Sequence, residues 1–133
     1  MCGIFGFKSD QLSNAERRPI LRKMGRSLLH RGPDDEGYYQ HNDMAMGMRR
    51  LSIIDTETGK QPIFSNDRSK VIVFNGEIYN YLELRKMLIK KGYWFETLTD
   101  TEVIVNLYQE KGVDCLNNLN GMFVFAIYSY EEY

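Results

Sequence analysis

The strongest constraint on the fold is a continuous apolar run at residues 122–128, Met-Phe-Val-Phe-Ala-Ile-Tyr. Such a run, rich in aromatic and β-branched residues, is typical of a strand in a sheet core. A second apolar run at 71–74 stops at Asn75-Gly76, where we expect a sharp bend. The C-terminus follows the strand at 122–128 almost at once, which would leave an open apolar edge. We therefore expect a fragment of a longer protein.

Other segments predict shorter strands. Residues 2–7 are apolar and contain two glycines, which indicates a strand that other backbone approaches closely. Residues 36–40 and 44–48 flank the turn-like His-Asn-Asp at 41–43, and this arrangement predicts a β-hairpin. Residues 51–54 end in two isoleucines and predict one more short strand.

The first helix signal is the pair Ser13 and Glu16, which have the spacing of a capping box. We expect this helix to run to about Leu29. Pro19 fits only in or near the first turn of a helix, because it lacks an N–H and clashes with the preceding turn. The helix start could therefore lie a few residues after Ser13.

Two more helices are predicted in the second half of the chain. Asn80 can cap a helix that ends near Gly92. Thr99 and Glu102 again have capping-box spacing, for a helix that stops at Gly112. Strands, then helices, then another strand favour an α+β layered fold over alternating βαβ units.

Composition excludes several classes of protein. The 133 residues fit one domain and carry 17 basic and 18 acidic side chains, a net charge of -1. This balance indicates no nucleic-acid partner and no membrane surface, and no apolar run approaches the roughly 20 residues that span a bilayer. No signal-peptide pattern opens the chain. Cys2 and Cys115 form no ligand-spaced pair, so we expect neither a metal site nor a disulfide, and a cytoplasmic location.

Cys2 is the first candidate for chemistry. Removal of Met1 would leave a cysteine with a free α-amine, whose ordinary pKa is about 7.7–8.0, beside a thiol with a pKa of about 8.5. One residue could then supply both a nucleophile and a base. The alternative is that Cys2 is a small buried hydrophobic residue, as most lone cysteines are.

Several motifs occur in one order along the chain: Met-Cys-Gly-Ile-Phe-Gly at 1–6, His-Arg-Gly-Pro-Asp-Asp-Glu-Gly at 30–37, Arg-Leu-Ser-Ile-Ile-Asp at 50–55, Asn-Gly-Glu-Ile-Tyr-Asn at 75–80, Thr-Asp-Thr-Glu at 99–102 and Leu-Asn-Gly-Met-Phe-Val-Phe-Ala at 119–126. In this order they resemble the N-terminal glutaminase domain of glutamine-hydrolysing asparagine synthetase, a class II glutamine amidotransferase of the N-terminal nucleophile hydrolase superfamily. The resemblance implies αββα layers of largely antiparallel sheet, incomplete at the C-terminus, with residues 1–133 forming a type 2 amidotransferase domain that lacks its C-terminal part. It also implies hydrolysis of the glutamine side-chain amide through a Cys2 thioester.

The resemblance assigns the oxyanion hole to the Asn75 side chain and the Gly76 main-chain N–H. Both groups can donate a hydrogen bond to the oxyanion of a tetrahedral intermediate. The alternative interpretation of this pair is an ordinary Asn-Gly turn between two strands.

The resemblance also assigns residues to the two charged groups of free glutamine. Arg50 would hold the α-carboxylate by paired hydrogen bonds, and in a strand its neighbour Arg49 would point to the opposite face. Asp100 matches the partner of the α-ammonium, although a plain helix cap is its alternative. The resemblance further places Glu77 and the backbone of Ile53 and Ile54 in the pocket.

Arg31 would shape the nucleophile end of the pocket, and we interpret His30 as structural because the terminal amine serves as base in this family.

The same resemblance implies the partners. The ammonia would pass to an ATP-using synthetase domain in the same full-length chain. ATP and Mg are expected only for that missing domain, with no cofactor in this one, and a homodimer is left open. Two alternatives stay open as well. The first is an amidotransferase of the same type that serves another acceptor, and the second is a non-catalytic regulatory module that retains the fold.

Overall fold

The computed structural model describes residues 2–52 and 57–130. Within these ranges the elements are β1 (Gly3–Lys8), α1 (Asn14–Ser27), β2 (Asp35–His41), β3 (Met44–Arg50), β4 (Ile63–Phe64), β5 (Lys70–Ile78), α2 (Tyr81–Lys90), α3 (Asp100–Lys111), a 3₁₀ helix (Gly112–Asn118) and β6 (Gly121–Ser129). The predicted α+β class is confirmed.

The strands form two antiparallel sheets that stack face to face. The first sheet has the order β1-β3-β2, and the second has the order β4-β5-β6. Helix α1 packs on the outer face of the first sheet, whereas α3 covers the outer face of the second and α2 packs beside it. These are the four αββα layers expected from the resemblance.

Alternation along β5 builds the two cores, because successive side chains of a strand point to opposite faces. Val71 and Val73 face the first sheet, where they pack in a cluster with Met46, Met48 and Tyr128. The residues between and beyond them face the helices, in a cluster that includes Ile72, Phe74, Ile78, Val103, Ile104 and Leu107. Each fully buried side chain of this size contributes about 1.5–3 kcal/mol of transfer free energy.

Helix α1 begins with the predicted capping box. The Ser13 hydroxyl accepts the main-chain N–H of Glu16 at 3.3 Å, and the Glu16 carboxylate accepts that of Ser13 at 2.8 Å. Pro19, however, lies in the second turn, so the expectation that it marks the first turn is wrong. The capping box and the burial of Leu21 stabilise the first turns of the helix, so α1 begins before the proline.

The predicted bend at Asn75-Gly76 is also wrong. Strand β5 continues through both residues to Ile78, because β6 pairs with it over its whole length, from Lys70 opposite Ser129 to Ile78 opposite Gly121. Pairing with a long partner strand therefore overrides the local turn preference of the Asn-Gly dipeptide.

Three smaller expectations also need correction. Leu51 and Ser52 follow the end of β3 and are not in a strand, whereas Ile53 and Ile54 lie outside the described residues. Asn80 stands at the start of α2, but its side chain bonds to the main chain of Asn118 and Asn120 instead of capping the helix. Glu102 does not complete a capping box with Thr99, as its carboxylate binds other groups.

Among the helices of the described residues, none is long and apolar enough to cross a membrane.

Candidate active site

A cavity of about 300 Å³ opens where β3, β5 and the start of α3 meet. It brings together six of the predicted site residues, which come from four parts of the chain: Cys2, Arg50, Asn75, Gly76, Glu77 and Asp100. The remaining three are placed differently. Arg31 contacts Cys2 from outside the cavity lining, and Ile53 and Ile54 lie outside the described residues.

The sulfur of Cys2 lies against the chain that leaves β3. The main-chain N–H of Leu51 donates to Cys2 Sγ at 3.3 Å, and Sγ lies 3.6 Å from the carbonyl oxygen of Leu51. The side chain is only half-buried and faces the cavity, unlike Cys115, which is fully buried in the core. Cys2 also packs against the apolar cluster between the two sheets, but it is not fully buried, as the alternative interpretation of a buried hydrophobic residue would require.

The His-Arg-Gly-Pro-Asp loop holds this end of the site by main-chain contacts. Arg31 Nε donates to the carbonyl oxygen of Cys2 at 3.3 Å. The Asp34 N–H donates to the carbonyl oxygen of Arg50 at 3.0 Å, and the Asp34 carboxylate accepts the N–H of Ser52 at 2.9 Å. His30 is exposed and does not line the cavity, and its structural role stays a prediction.

Gly32 explains why this loop can lie so close to β3. A Cβ atom at this position would fall 2.4 Å from the carbonyl carbon of Arg49 and 2.5 Å from the nitrogen of Arg50. Because both contacts are with backbone, no side-chain movement could relieve them. The loop therefore needs glycine here in order to reach the chain beside Cys2.

The two adjacent arginines point to opposite faces of the first sheet, as predicted. Arg50 lines the cavity. Arg49 instead donates to the Gly32 carbonyl oxygen at 2.9 Å and forms an ion pair with Glu36 at 2.5 Å. Of the two residues, Arg50 is the one that lines the cavity, and both arginines are buried.

Asn75 and Gly76 line the cavity from within β5, and not from a turn. Gly76 has a φ of +144°, in the region that favours glycine. A Cβ on Gly76 would lie 2.1 Å from the carbonyl oxygen of Met122 on β6. The residue is therefore glycine for two reasons, its backbone conformation and the close approach of the neighbouring strand.

Asp100 is the buried anion of the cavity. Thr99 is the N-cap of α3, since its hydroxyl accepts the N–H of Glu102 at 3.3 Å, whereas the Asp100 carboxylate accepts the N–H of Ile78 at 3.0 Å. Burial raises the pKa of Asp100 above its ordinary value; main-chain N–H donors oppose this rise, and the neighbouring Glu77 carboxylate adds to it. A cation bound beside Asp100 would stabilise its charged form.

The cavity also contains residues that the sequence interpretation missed. They are Leu51, Gly59, Gln61, Phe74, Thr99, Thr101 and Met122. Thr99 and Thr101 belong to a motif that had been singled out, but Gln61 stands in a segment without a marked motif. Its only local signal is the Pro that follows it, which indicates a turn and says nothing of a site.

No group of three or more His, Cys, Asp or Glu side chains among residues 2–52 and 57–130 could hold a metal ion. The acidic residues of the cavity, Glu77 and Asp100, are therefore not part of a metal cluster within these ranges.

Comparison with solved structures identifies the class of fold. A glutamine phosphoribosylpyrophosphate amidotransferase from Bacillus subtilis superposes with a TM-score of 0.70 over 97% of this chain and 35% of its own, at 22% identity. Together with the αββα layers, this likeness shows the N-terminal nucleophile fold of the amidotransferases. The chain itself belongs to the glutamine amidotransferase domain family, whose model matches residues 1–133.

Curated relatives include several asparagine synthetases described as glutamine-hydrolysing. Identity is 42% with asparagine synthetase 1 of Bacillus subtilis, over 100% of this chain and 21% of the relative. It is 42% with asparagine synthetase 1 of Arabidopsis thaliana and 41% with asparagine synthetase B of Escherichia coli, over 96% and 99% of this chain. The chain thus spans between a fifth and a quarter of these relatives, 21% and 24% for the last two.

Proposed function

We propose that this domain hydrolyses the side-chain amide of glutamine to glutamate and ammonia through a thioester on Cys2. The observation that carries the proposal is a single cavity lined by a half-buried cysteine, a buried arginine and a buried aspartate, together with Asn75 and Gly76. This set supplies a nucleophile, one fixed cation and one fixed anion. Free glutamine offers a matching electrophilic amide, an α-carboxylate and an α-ammonium.

The first half of the reaction forms the thioester. Once Met1 is removed, the α-amine of Cys2 takes the thiol proton, and the sulfur attacks the amide carbon of glutamine. The Asn75 side chain and the Gly76 N–H donate to the oxyanion that forms. The carbon–nitrogen bond then breaks as the leaving nitrogen takes a proton from the α-ammonium of Cys2, and ammonia leaves.

The second half releases glutamate. A water molecule, deprotonated by the α-amine of Cys2, attacks the thioester carbon, and the same donors hold the oxyanion again. The carbon–sulfur bond breaks and the sulfur recovers its proton. Atoms balance as glutamine plus water giving glutamate plus ammonia, with Cys2 restored.

Three side chains would select glutamine over other amides. Arg50 would bind the α-carboxylate by parallel hydrogen bonds, as a planar guanidinium does. Asp100 would bind the α-ammonium, with Glu77 beside it. The main chain of Ile53 and Ile54 and the side chain of Arg31 are predicted to contribute to the pocket as well.

The fate of the ammonia is the finer part of the proposal. The similarity to glutamine-hydrolysing asparagine synthetases supports transfer to an ATP- and Mg-dependent synthetase domain in a longer chain, where asparagine is made. Another acceptor would use the same glutaminase chemistry, because the acceptor is bound elsewhere. A cytoplasmic location and a homodimer stay predictions, as does the absence of a cofactor from this domain.

The test is to label the full-length protein with a diazo-ketone analogue of glutamine and to locate the adduct by mass spectrometry. We expect one adduct, on Cys2, that glutamine suppresses and that Cys2→Ala abolishes. Cys115 is an internal control, because it is fully buried in the core. The N-terminal mass is measured on the same sample.

An adduct-free protein whose N-terminus starts at Cys2 would contradict the proposal and favour the non-catalytic module. An adduct on Cys115 would show that the reagent reacts without regard to the cavity. Labelling that glutamine does not suppress would contradict the assignment of the substrate.

A further inference from the structure

We infer that Gln61 is a positioning residue for the reaction. Its side-chain amide bonds both to β5, the strand that carries Asn75 and Gly76, and to the start of α3, and so fixes the position of one relative to the other. The inference rests on the proposed glutamine hydrolysis. Gln61 lines the cavity and reaches two different elements with the two ends of one amide group.

The oxygen end of the amide acts on β5. Gln61 Oε1 accepts the main-chain N–H of Phe74 at 2.7 Å. Phe74 is the residue immediately before Asn75, so this bond fixes the Val73–Phe74 peptide plane, one peptide unit before the proposed oxyanion donors. A 2.7 Å N–H···O distance lies at the short end of the usual range for such bonds.

Register explains why a side chain is needed at this point. Strand β4 consists of Ile63 and Phe64 alone, and Ile63 pairs with Ile72 of β5. If this antiparallel pairing continued for two residues, Gln61 would stand opposite Phe74. The main-chain ladder stops before that position, and the Gln61 side chain supplies the acceptor that the missing strand would have provided.

The nitrogen end acts on α3. Gln61 Nε2 donates to the Thr101 hydroxyl at 3.3 Å. Thr101 is buried and follows Asp100, the proposed partner of the substrate ammonium. The orientation of the amide is fixed by chemistry, because the Phe74 N–H can only donate and so must face the oxygen.

The main chain of Gln61 lies close to the first sheet. A Cβ on Gly37 of β2 would lie 1.7 Å from the carbonyl oxygen of Gln61. The segment that carries Gln61 therefore lies directly against the first sheet, while its amide reaches the second sheet and α3. Gln61 thus connects the three layers that surround the cavity.

The consequence for the reaction is geometric. Cys2 immediately precedes β1 and Arg50 ends β3, whereas the proposed oxyanion donors come from β5 and the proposed ammonium partner from α3. A displacement of about 1 Å between such groups can lower the rate of an enzyme by up to about 100-fold. Loss of the amide should therefore reduce turnover even though no reacting group is removed.

The test compares Gln61→Met with two variants of its partner, Thr101→Val and Thr101→Ser, in the full-length protein. Methionine keeps the length of the side chain and removes both hydrogen bonds, valine removes only the bond to α3, and serine keeps that bond. We expect kcat/KM for glutamine to fall about tenfold or more in Gln61→Met, to fall less in Thr101→Val and to fall least in Thr101→Ser, which keeps the hydroxyl.

A second readout separates positioning from damage to the fold. Alkylation of Cys2 by iodoacetamide depends on the exposure and thiolate fraction of the sulfur and not on the oxyanion donors or the ammonium site. Its rate should therefore be unchanged in Gln61→Met, whereas labelling by the diazo-ketone analogue should slow with kcat/KM. The double variant Gln61→Met/Thr101→Val should lose little more kcat/KM than Gln61→Met alone, because both substitutions remove the same bond to α3. Thr101→Val provides the measurement if Gln61→Met fails to fold.

The outcomes are distinct. A wild-type rate in Gln61→Met would overturn this inference and leave the proposed function intact. Independent, fully additive losses in the double variant would also overturn it, since Gln61 and Thr101 would then act separately. Failure of the analogue to label Cys2 in the wild-type protein would overturn the proposed function, and this inference with it.

Discussion

The carboxylate of Asp100 accepts a hydrogen bond from the main-chain N–H of Ile78 at 3.0 Å. This bond joins the first residue of α3 to the last residue of β5, two positions beyond Gly76. It holds a buried carboxylate at the cavity wall, where burial alone would favour the protonated form. The proposed ammonium site and the proposed oxyanion hole are therefore parts of one connected structure.

Glutamine affinity should depend on pH through Asp100. Its pKa is raised, mainly by burial, and a bound ammonium requires the charged carboxylate. As pH falls from about 7 toward about 3.9, the ordinary pKa of aspartate, glutamine affinity should weaken at a higher pH than it would with an aspartate of ordinary pKa. Calorimetric titration of glutamine into Cys2→Ala protein measures this.

In Asp100→Asn, binding should be weak and nearly independent of pH over the same interval. A pH profile in that variant that matches the wild-type profile would show that Asp100 is not the group that titrates.

Replacement of Arg50 should weaken glutamine binding far more than replacement of Arg49. Arg50→Ala removes one partner of a buried charged pair, which costs about 2–5 kcal/mol of binding free energy. Arg49→Ala removes the contacts to Gly32 and Glu36 on the other face of the sheet and should act mainly on stability. Titration calorimetry and urea unfolding of both variants separate the two effects, and equal losses of affinity would show that the assignment to Arg50 is wrong.

Gly76→Ala should damage both stability and labelling of Cys2. Gly92 is a matched control, because it has a φ of +98° but open space where a Cβ would stand. Gly92→Ala should lower the free energy of unfolding by about 1–3 kcal/mol, through the strain of alanine at positive φ alone, as measured by urea unfolding. Gly76→Ala should cost more, since the β6 carbonyl must also move. Equal losses of unfolding free energy in the two variants would show that β6 moves away from the new Cβ of Gly76→Ala at no cost in stability.

Glu102 should be important for stability although it does not line the cavity. Its carboxylate accepts the Glu96 N–H at 2.8 Å, the Thr97 N–H at 2.7 Å and the Thr97 hydroxyl at 2.6 Å. Glu102→Ala should lower the free energy of unfolding by about 3 kcal/mol, because these donors lose their partner. Since they lie in the segment that leads to Asp100, glutamine affinity should fall as well.

The exposed Glu83 is the control for Glu102, as it holds the same third position in α2. Glu83→Ala should change the unfolding free energy by no more than about 0.5 kcal/mol. A similar loss in both variants, read from urea unfolding, would attribute the effect of Glu102 to its place near the helix N-terminus.

Local sequence patterns determined most of the secondary structure. The capping box of Ser13 and Glu16, the glycine after α3 and the apolar run of β6 are read from neighbouring residues, and each is confirmed. The failures share a cause. Pro19 stays inside α1, and β5 runs on through Asn75 and Gly76, because contacts with distant segments outweigh the local preference at those positions.

The ordered motifs of the sequence alone indicated the candidate nucleophile, the candidate partners of the α-carboxylate and α-ammonium of glutamine, and the layered fold. Only the tertiary structure decided that Asn75 and Gly76 stand in a strand, that Asp100 bonds to Ile78, and that Gln61 lies at the cavity. The physical reason is that periodicity and capping act within a few residues. Hydrogen bonds between layers depend on strand register and on which surfaces meet.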